Sequence, residues 1–133
     1  MIVVVDSGIW ISAIEYGGIP RAAIQRISQV GILATCAQIE NEVLGILGRK
    51  FDRDPQAARD RFYPLRGEAT RVEVTGEVAG VCRDPKDDCI LECALKAGAQ
   101  LIVTGDHDLL VLNEFRGIRI ITARQYLDLP ASA

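Results

Sequence analysis

The chain has little of several residues and motifs that define common protein sites. It contains 1 histidine, and none of its 4 cysteines forms a Cys-x-x-Cys pair, so a zinc site is not indicated and we expect reduced, buried thiols. No Gly-x-Gly-x-x-Gly or P-loop motif occurs, which leaves nucleotide binding by a glycine-rich loop without support. No apolar run approaches the roughly 20 residues that span a membrane. A basic segment ahead of an apolar stretch is also missing at the N-terminus, so we expect no signal peptide and a cytoplasmic protein.

The chain has fewer basic than acidic residues, 15 against 18, and its formal net charge is -3. A negative net charge argues against a protein that binds nucleic acid through its overall charge alone. It does not exclude a nuclease whose acidic residues hold a metal ion. The basic residues that do occur form local groups, which are either solvated helix faces or contacts for phosphate. These groups are Arg49, Lys50 and Arg53; Arg59, Arg61 and Arg66; and Arg83 and Lys86.

Short apolar segments that alternate with helical patterns are the main structural signal. The length of 133 residues fits one domain, which we place at residues 1–129 with a loose tail at 130–133. We predict strands at residues 1–5, 30–34, 101–104 and 118–121, and an exposed or edge strand at 71–75. Helical periodicity separates these strands. The alternation predicts an α/β fold, a three-layer α/β/α sandwich around a mainly parallel, Rossmann-like sheet.

Several residues suit the starts of the predicted helices. Ser7 is a candidate cap for a helix that begins near Ile9, and Thr35 for the helix after the second strand. Asp84 precedes Pro85, a pair that is typical of a helix start.

Acidic residues stand beside four of the apolar segments. Asp6 follows the first strand, Glu42 lies in a helical stretch, and Asp84, Asp87 and Asp88 open another helix. Asp106 and Asp108 follow the strand at 101–104. Ligands of open α/β sheets bind beyond the carboxyl ends of the strands, so folding could bring these acids together. Clustered carboxylates repel each other unless a cation joins them, which indicates oxygen-bound Mg²⁺ or Mn²⁺ and phosphodiester chemistry.

Each acid also has a structural interpretation when it is considered alone. Asp6 could cap a helix, Glu42 could be a surface residue, and Asp84 fits an N-cap. Asp87 and Asp88 would favour the dipole of a helix in its first turn. Asp106 and Asp108 could satisfy backbone amides of a turn. The hydroxyls of Ser7 and Thr104 could orient ligands or a phosphate, whereas a triad using His107 lacks a nucleophile-elbow sequence.

Four sequence strings carry a resemblance to a known family. They are Val3-Val4-Val5-Asp6-Ser7-Gly8, the stretch from Glu42 to Phe51, Arg83-Asp84-Pro85-Lys86-Asp87-Asp88, and Thr104-Gly105-Asp106-His107-Asp108-Leu109-Leu110. With these motifs the chain resembles PIN-domain ribonucleases, in particular the toxins of bacterial and archaeal toxin–antitoxin pairs. The resemblance extends from Ile2 to about Leu127, and the last two strings are its most specific part. The family usually has Thr and Asn where this chain has Ser7 and Gly8.

The resemblance implies a metal-dependent endoribonuclease that uses Mg²⁺ or Mn²⁺. Carried over by position, the metal-site acids would be Asp6, Glu42, Asp87 and Asp106, with Asp88 a close competitor of Asp87. Asp108 would bind metal directly or through water, and Ser7, Thr104, Arg83 and Lys86 would orient ligands or contact the substrate. The implied partners are RNA, an antitoxin protein, and a second copy of the chain in a homodimer or higher homo-oligomer. No membrane is implied.

Two further hypotheses remain open at the level of sequence. The chain could be a non-catalytic PIN-like module that binds RNA or protein, because Gly8 removes an amide side chain that the family usually carries. It could also be a small phosphatase or receiver-like domain with Asp6 phosphorylated. That function needs a lysine near a strand end, and the sequence offers none there.

Overall fold

A computed structural model of the protein describes residues 1–130. Its helices and strands follow in the order β1 (Ile2–Val5), α1 (Ser7–Tyr16), α2 (Gly18–Val30), β2 (Ile32–Cys36), α3 (Ala37–Phe51), α4 (Pro55–Arg66), β3 (Thr70–Val72), α5 (Pro85–Ala97), β4 (Leu101–Val103), α6 (His107–Leu110), β5 (Glu114–Phe115), β6 (Ile118–Ile121) and α7 (Ala123–Leu127). The tail expected at 130–133 lies, apart from Pro130, outside the described residues.

The strands form one sheet in the order β3-β2-β1-β4-β6-β5. All neighbours are parallel except β5, which pairs antiparallel with β6. From β1 the chain adds β2 and β3 on one side, and β4 then pairs with the other side of β1. The strand order therefore reverses between β1 and β4, and the carboxyl ends of these two strands are the expected place for a ligand.

Helices flank the sheet, which confirms the predicted α/β fold. Helix α5 contacts β1, β2, β3 and β4, whereas α1 packs against α2, α3 and α4. Central strand β1 carries a continuous β-branched run whose last three residues, Val3 to Val5, are buried, as is typical of a strand covered on both sides. On the α1 side, the fully buried rings of Trp10 and Phe62 meet edge to face with centroids 5.3 Å apart.

Several details differ from the sequence-based expectations. Helix α1 begins at Ser7 with Asp6 in the N-cap position, and Cys36 rather than Thr35 precedes α3. Thr35 belongs to β2, where its buried hydroxyl has no hydrogen-bond partner among the described residues. Strand β5 was not predicted, because a strand of 2 residues carries no periodicity. Within residues 1–130, no helix is both long and apolar enough for a membrane span.

The cysteines are free thiols, as expected, but the expected burial holds for only two of the four. Cys36 and Cys93 are buried, whereas Cys82 and Cys89 are partly exposed.

Candidate active site

Asp6 lies at the reversal point of the sheet, directly after β1. Its backbone amide donates to the carbonyl of Val103 at the end of β4 (3.0 Å), so the two strand ends are joined at this residue. Although Asp6 occupies the N-cap position of α1, its side chain makes no capping hydrogen bond. The carboxylate instead accepts hydrogen bonds from the Thr104 hydroxyl (2.7 Å) and the Ser7 hydroxyl (3.3 Å). The capping role considered from the sequence therefore does not account for this carboxylate.

Thr104 connects Asp6 with the turn that carries Asp106. The Thr104 hydroxyl donates to Asp6 Oδ2 and accepts from the backbone amide of Asp106 at 3.0 Å. Asp106 is the N-cap of α6, and its Oδ1 accepts from the backbone amide of Asp108 at 3.0 Å. One fully buried hydroxyl thus fixes the relative position of two acidic segments.

Asp87 lies in the first turn of α5, which brings its carboxylate towards the ends of β1 and β4. Carboxylate oxygens of Asp87, Asp106 and Asp108 lie within 4.8 Å of one another. Burial of Asp87, followed by the negative charge of Asp106 and a hydrogen bond with it, raises the pKa of Asp87 to about 7. Such a shift is typical of carboxyl groups that share one site.

The pKa of Asp6 is affected in the same way. Burial raises the pKa of Asp6 above its ordinary value, and the charges of Asp106 and Glu42 add to this rise. The hydrogen bonds from Thr104 and the Ser7 amide act in the opposite direction. The acids are therefore close enough to influence each other's ionisation, although they come from four separate segments of the chain.

We call Asp6, Asp87, Asp106 and Asp108 the acidic cluster. Glu42 is connected to this cluster through Ser7. Its Oε1 accepts a hydrogen bond of 2.5 Å from the Ser7 hydroxyl, which also reaches Asp6. Its other oxygen lies 3.8 Å from Lys86 Nζ. The side chain is 26% exposed, so Glu42 is not the plain surface residue that its mid-helix position allowed.

Asp88 and Asp84 have different surroundings from Asp87. The Asp88 carboxylate accepts from the backbone amides of Gly80 (3.0 Å) and Cys82 (2.8 Å), in the loop that precedes α5. Asp84 caps α5 as predicted, because its side chain accepts from the Lys86 amide. Neighbouring positions on a helix point about 100° apart, so Asp87 meets the acidic cluster while Asp88 meets the loop.

The remaining predicted residues lie at the rim of the cluster. Arg83 is largely exposed and forms an ion pair of 2.9 Å with Asp108. His107 is exposed. A Cβ atom added to Gly8 would meet no heavy atom within 4 Å, so the position occupied by Asn in the resembling family is open space here.

Two buried acids with structural partners were not predicted. Glu40 forms ion pairs with Arg66 and Arg71, and Glu92 accepts hydrogen bonds from three backbone amides of the loop after β3. Both residues lie on the buried sides of amphipathic helices, which is the one signal that could have identified them.

A cavity beside the acidic cluster was also not predicted. It has a volume of about 480 Å³ and lies between α3 and the start of α5. Its wall includes Asp6 and Asp87 of the cluster, together with Ser7 and Glu42. The rest of the wall combines apolar side chains, the amides of Gln38 and Asn41, and the cations Arg49 and Lys86.

The fold and this site define a class of α/β proteins with a carboxylate cluster where the strand order of a parallel sheet reverses. Within that class the chain belongs to the PIN domain family, whose profile matches residues 2–108. None of the curated proteins compared with the chain matches it.

Solved structures show the same fold. A chain in the crystal structure of VapBC2 from Rickettsia felis, bound to a DNA fragment from their promoter, matches with a TM-score of 0.68 and 13% identity, over 90% of this chain and 97% of that chain. The structure of VapC20 from Mycobacterium tuberculosis, described as a sarcin-ricin loop cleaving toxin, matches with a TM-score of 0.62 and 16% identity, over 88% of this chain and 98% of that chain. At these identities the similarity concerns the fold.

Proposed function

We propose that the protein is an endoribonuclease that hydrolyses RNA phosphodiester bonds with the help of Mg²⁺ or Mn²⁺. The observation that carries this proposal is the convergence of acids beyond the ends of β1 and β4. Asp87, Asp106 and Asp108 have carboxylate oxygens within 4.8 Å of one another. Asp6 and Glu42 are not part of that group of three, but they line the same concave surface as Asp87 and Asp106. Carboxylates gathered in this way lose favourable hydration and repel each other. A fold that maintains such a cluster needs a compensating positive charge.

The donor set fits a hard divalent cation. Asp6, Glu42, Asp87 and Asp106 would hold the ion, and Asp108 would contribute directly or through water. All offer carboxylate oxygens, the ligands that Mg²⁺ and Mn²⁺ prefer. When bound, such an ion supplies a water of lowered pKa and offsets negative charge on the phosphate.

The neighbouring side chains have separate tasks in this proposal. The Thr104 hydroxyl keeps Asp6 in position by donating to it at 2.7 Å. The Ser7 hydroxyl has one proton, which it directs chiefly to Glu42 at 2.5 Å, with Asp6 as the longer contact at 3.3 Å. Lys86 and Arg83 stand beside Glu42 and Asp108 and would attract the phosphates of the RNA strand. Arg83 is 86% exposed and Lys86 71% exposed, so both are accessible to a polymer.

We further propose that the nuclease is the toxin of a toxin–antitoxin pair and acts in the cytoplasm as a homodimer or higher homo-oligomer. The PIN family match and the fold shared with VapC20 and VapBC2 support this biological role. The expected partner is an antitoxin protein, and a short reading frame for a DNA-binding protein beside this gene would agree with it.

RNA cleavage tests the enzymatic proposal. We expect the wild-type protein with Mn²⁺ or Mg²⁺ to cut RNA and Asp6→Asn to lose at least about a hundredfold in rate, because Asp6 lies at the centre of the cluster. Asp60→Asn is the matched control, since Asp60 is an exposed acid on α4. Equal cleavage by wild type and Asp6→Asn would overturn the proposed site. Metal binding without turnover on any RNA would favour a non-catalytic module instead.

A further inference from the structure

We propose that the cavity between α3 and α5 binds a nucleobase of the RNA strand next to the phosphate that is cut. This inference rests on the proposed ribonuclease function and adds a site of base selection to it. The cavity and the surface at the acidic cluster share Asp6, Ser7, Glu42 and Asp87. One nucleotide could therefore place its base in the cavity and its phosphate at the cluster. The volume of about 480 Å³ lies within the range of small-ligand sites.

The walls of the cavity suit the faces of a flat ring. Ile39 of α3 and Ile90 of α5 contribute buried side chains, and Pro85 and Cys89 extend the same apolar surface. Proteins hold an unstacked base between aromatic or apolar side chains in this manner. An acidic cluster that binds only phosphate and metal has no need of such walls.

Two side-chain amides give the cavity hydrogen-bonding groups for the edge of a base. Gln38 Nε2 donates to the Val74 carbonyl at 2.9 Å, which fixes the amide and leaves its oxygen without a donor among residues 1–130. Asn41 is exposed, and its amide has no protein partner in the described part of the chain. Asparagine and glutamine amides present a donor and an acceptor side by side, the arrangement that pairs with a base edge.

Two cationic side chains line the cavity and match the phosphates that flank a nucleotide. Lys86 stands at the end next to the acidic cluster, and Arg49 lines the same cavity. Gln38, Glu42 and Arg49 recur at spacings of four and seven residues and therefore share one face of α3. Arg49 forms no ion pair within residues 1–130, so its charge is available to a ligand.

Binding of short RNAs tests this inference separately from catalysis. The protein would carry Asp106→Asn, which removes one repelling charge and the expected turnover, and would be titrated with labelled hexamers of A, C, G or U. We expect the strongest and weakest hexamers to differ by about tenfold or more in affinity, the discrimination typical of a good amide–base pair. Asn41→Ala and Gln38→Ala in this background should reduce that ratio to below about threefold. Gln25→Ala should keep it, because Gln25 is an exposed amide on α2 outside the cavity.

The outcomes separate the two proposals. Equal affinity for the four hexamers, or a ratio that Asn41→Ala and Gln38→Ala leave unchanged, would overturn the nucleobase site and favour a protein contact in the cavity. Cleavage of a randomised RNA pool by the wild-type protein, with the same base preference in Asn41→Ala, would also overturn it while the ribonuclease proposal stands. Base-selective binding that depends on Asn41, with no cleavage in any metal, would support the nucleobase site and overturn the catalytic proposal. Alanine is a strong helix former, so Asn41→Ala on the exposed side of α3 should fold normally.

Discussion

Two hydroxyl groups hold the acidic residues of the site in place. Thr104 links Asp6 with the Asp106 amide, and Ser7 links Asp6 with Glu42. Hydrogen bonds to charged groups contribute roughly 1.5–3 kcal/mol each, about twice the value for neutral pairs. These small side chains therefore determine whether carboxylates from distant segments have a defined geometry.

Replacing Ser7 by alanine tests whether this hydroxyl positions Glu42 for cleavage without being required for folding. Ser7→Ala removes the only hydrogen bond that the Glu42 side chain receives from the rest of residues 1–130, and we expect RNA cleavage to fall by about tenfold or more. The unfolding free energy should fall by about 1.5–3 kcal/mol, the value of one hydrogen bond to a charged group, which leaves the protein folded. Ser28→Ala, an exposed serine on α2, is the control. Unchanged cleavage in Ser7→Ala would show that the hydroxyl does not position Glu42.

Removing one negative charge of the cluster should stabilise the metal-free protein. The folded-state pKa of Asp87 is raised to about 7, so its ionisation between about pH 4 and pH 7 costs stability. Asp106→Asn removes the neighbouring charge, and its amide oxygen can still cap α6. We expect about 1 kcal/mol greater stability at pH 8 without metal and a lower Asp87 pKa in an NMR titration. A variant less stable than the wild type at pH 8 would contradict this electrostatic interpretation.

At the level of elements, the loop between β3 and α5 depends on two acids of the helix that follows it. Glu92 accepts from the backbone amides of Thr75, Gly76 and Val78, and Asp88 accepts from those of Gly80 and Cys82. The loop has no ladder of its own, so these bonds satisfy amides that would otherwise lack partners. Helix α5 thus uses Asp87 for the site and the two other acids for the loop that leads into it.

Acid sensitivity of this loop follows from the pKa of Glu92. Burial raises this pKa, but hydrogen bonds from Thr75 and Val78 and the charge of Lys96 outweigh burial and lower it to about 2. A lowered folded-state pKa stabilises the protein above the ordinary value of 4.5, and this stabilisation is lost as the pH falls towards 2.

Glu92→Gln should remove that part of the acid sensitivity and loosen the loop at neutral pH. We expect a loss of about 1–3 kcal/mol in unfolding free energy, together with faster hydrogen exchange of the amides at 75–78. Glu77→Gln is the matched control, because Glu77 is exposed and shares the Lys96 ion pair with Glu92 but accepts no hydrogen bond from a backbone amide of the loop among residues 1–130. Slow exchange at 75–78 in Glu92→Gln would mean that other contacts hold the loop.

Two glycines, Gly45 within α3 and Gly31 directly after α2, give opposite predictions. A Cβ on Gly45, in the middle of α3, would lie 2.9 Å from Arg49 Nη1, the mobile end of a side chain that can move away. Gly45→Ala should therefore stabilise the fold by about 0.5–1 kcal/mol through helix propensity. A Cβ on Gly31 would lie 2.5 Å from the backbone oxygen of Met1, so Gly31→Ala should destabilise it. Thermal unfolding measures the stability of both variants against the wild type. A loss of stability in Gly45→Ala would show that Arg49 is held rigidly.

Sequence patterns predicted most of these elements, and the reasons for the exceptions are physical. The buried apolar run of β1 and the Asp84-Pro85 start of α5 are local signals, so their elements were found correctly. The choice between Asp87 and Asp88 depends on where each side of α5 faces, which only the packing of the helix against the sheet defines. The cavity with Gln38 and Asn41 also requires two helices to be placed side by side, and no spacing within one helix encodes that.

For the whole molecule, charge distribution matters more than net charge. The formal net charge is only -3, yet several carboxylates meet at the carboxyl ends of β1 and β4, and the basic residues Lys86 and Arg49 line the adjoining cavity. A divalent ion at the cluster would turn this edge from repulsive to attractive for RNA. Metal binding and RNA binding should accordingly be coupled.

Calorimetric titration of the RNA-free protein with Mn²⁺ tests the central claim most directly. At pH 8 we expect saturable binding to the wild type, at least about tenfold weaker binding to Asp87→Asn, and unchanged binding to Asp60→Asn. At pH 5.5 the wild type should bind more weakly than at pH 8, because protons compete for an Asp87 whose pKa is raised to about 7. No Mn²⁺ binding by the wild type, or equal binding by Asp87→Asn, would contradict the claim that these acids form one metal site.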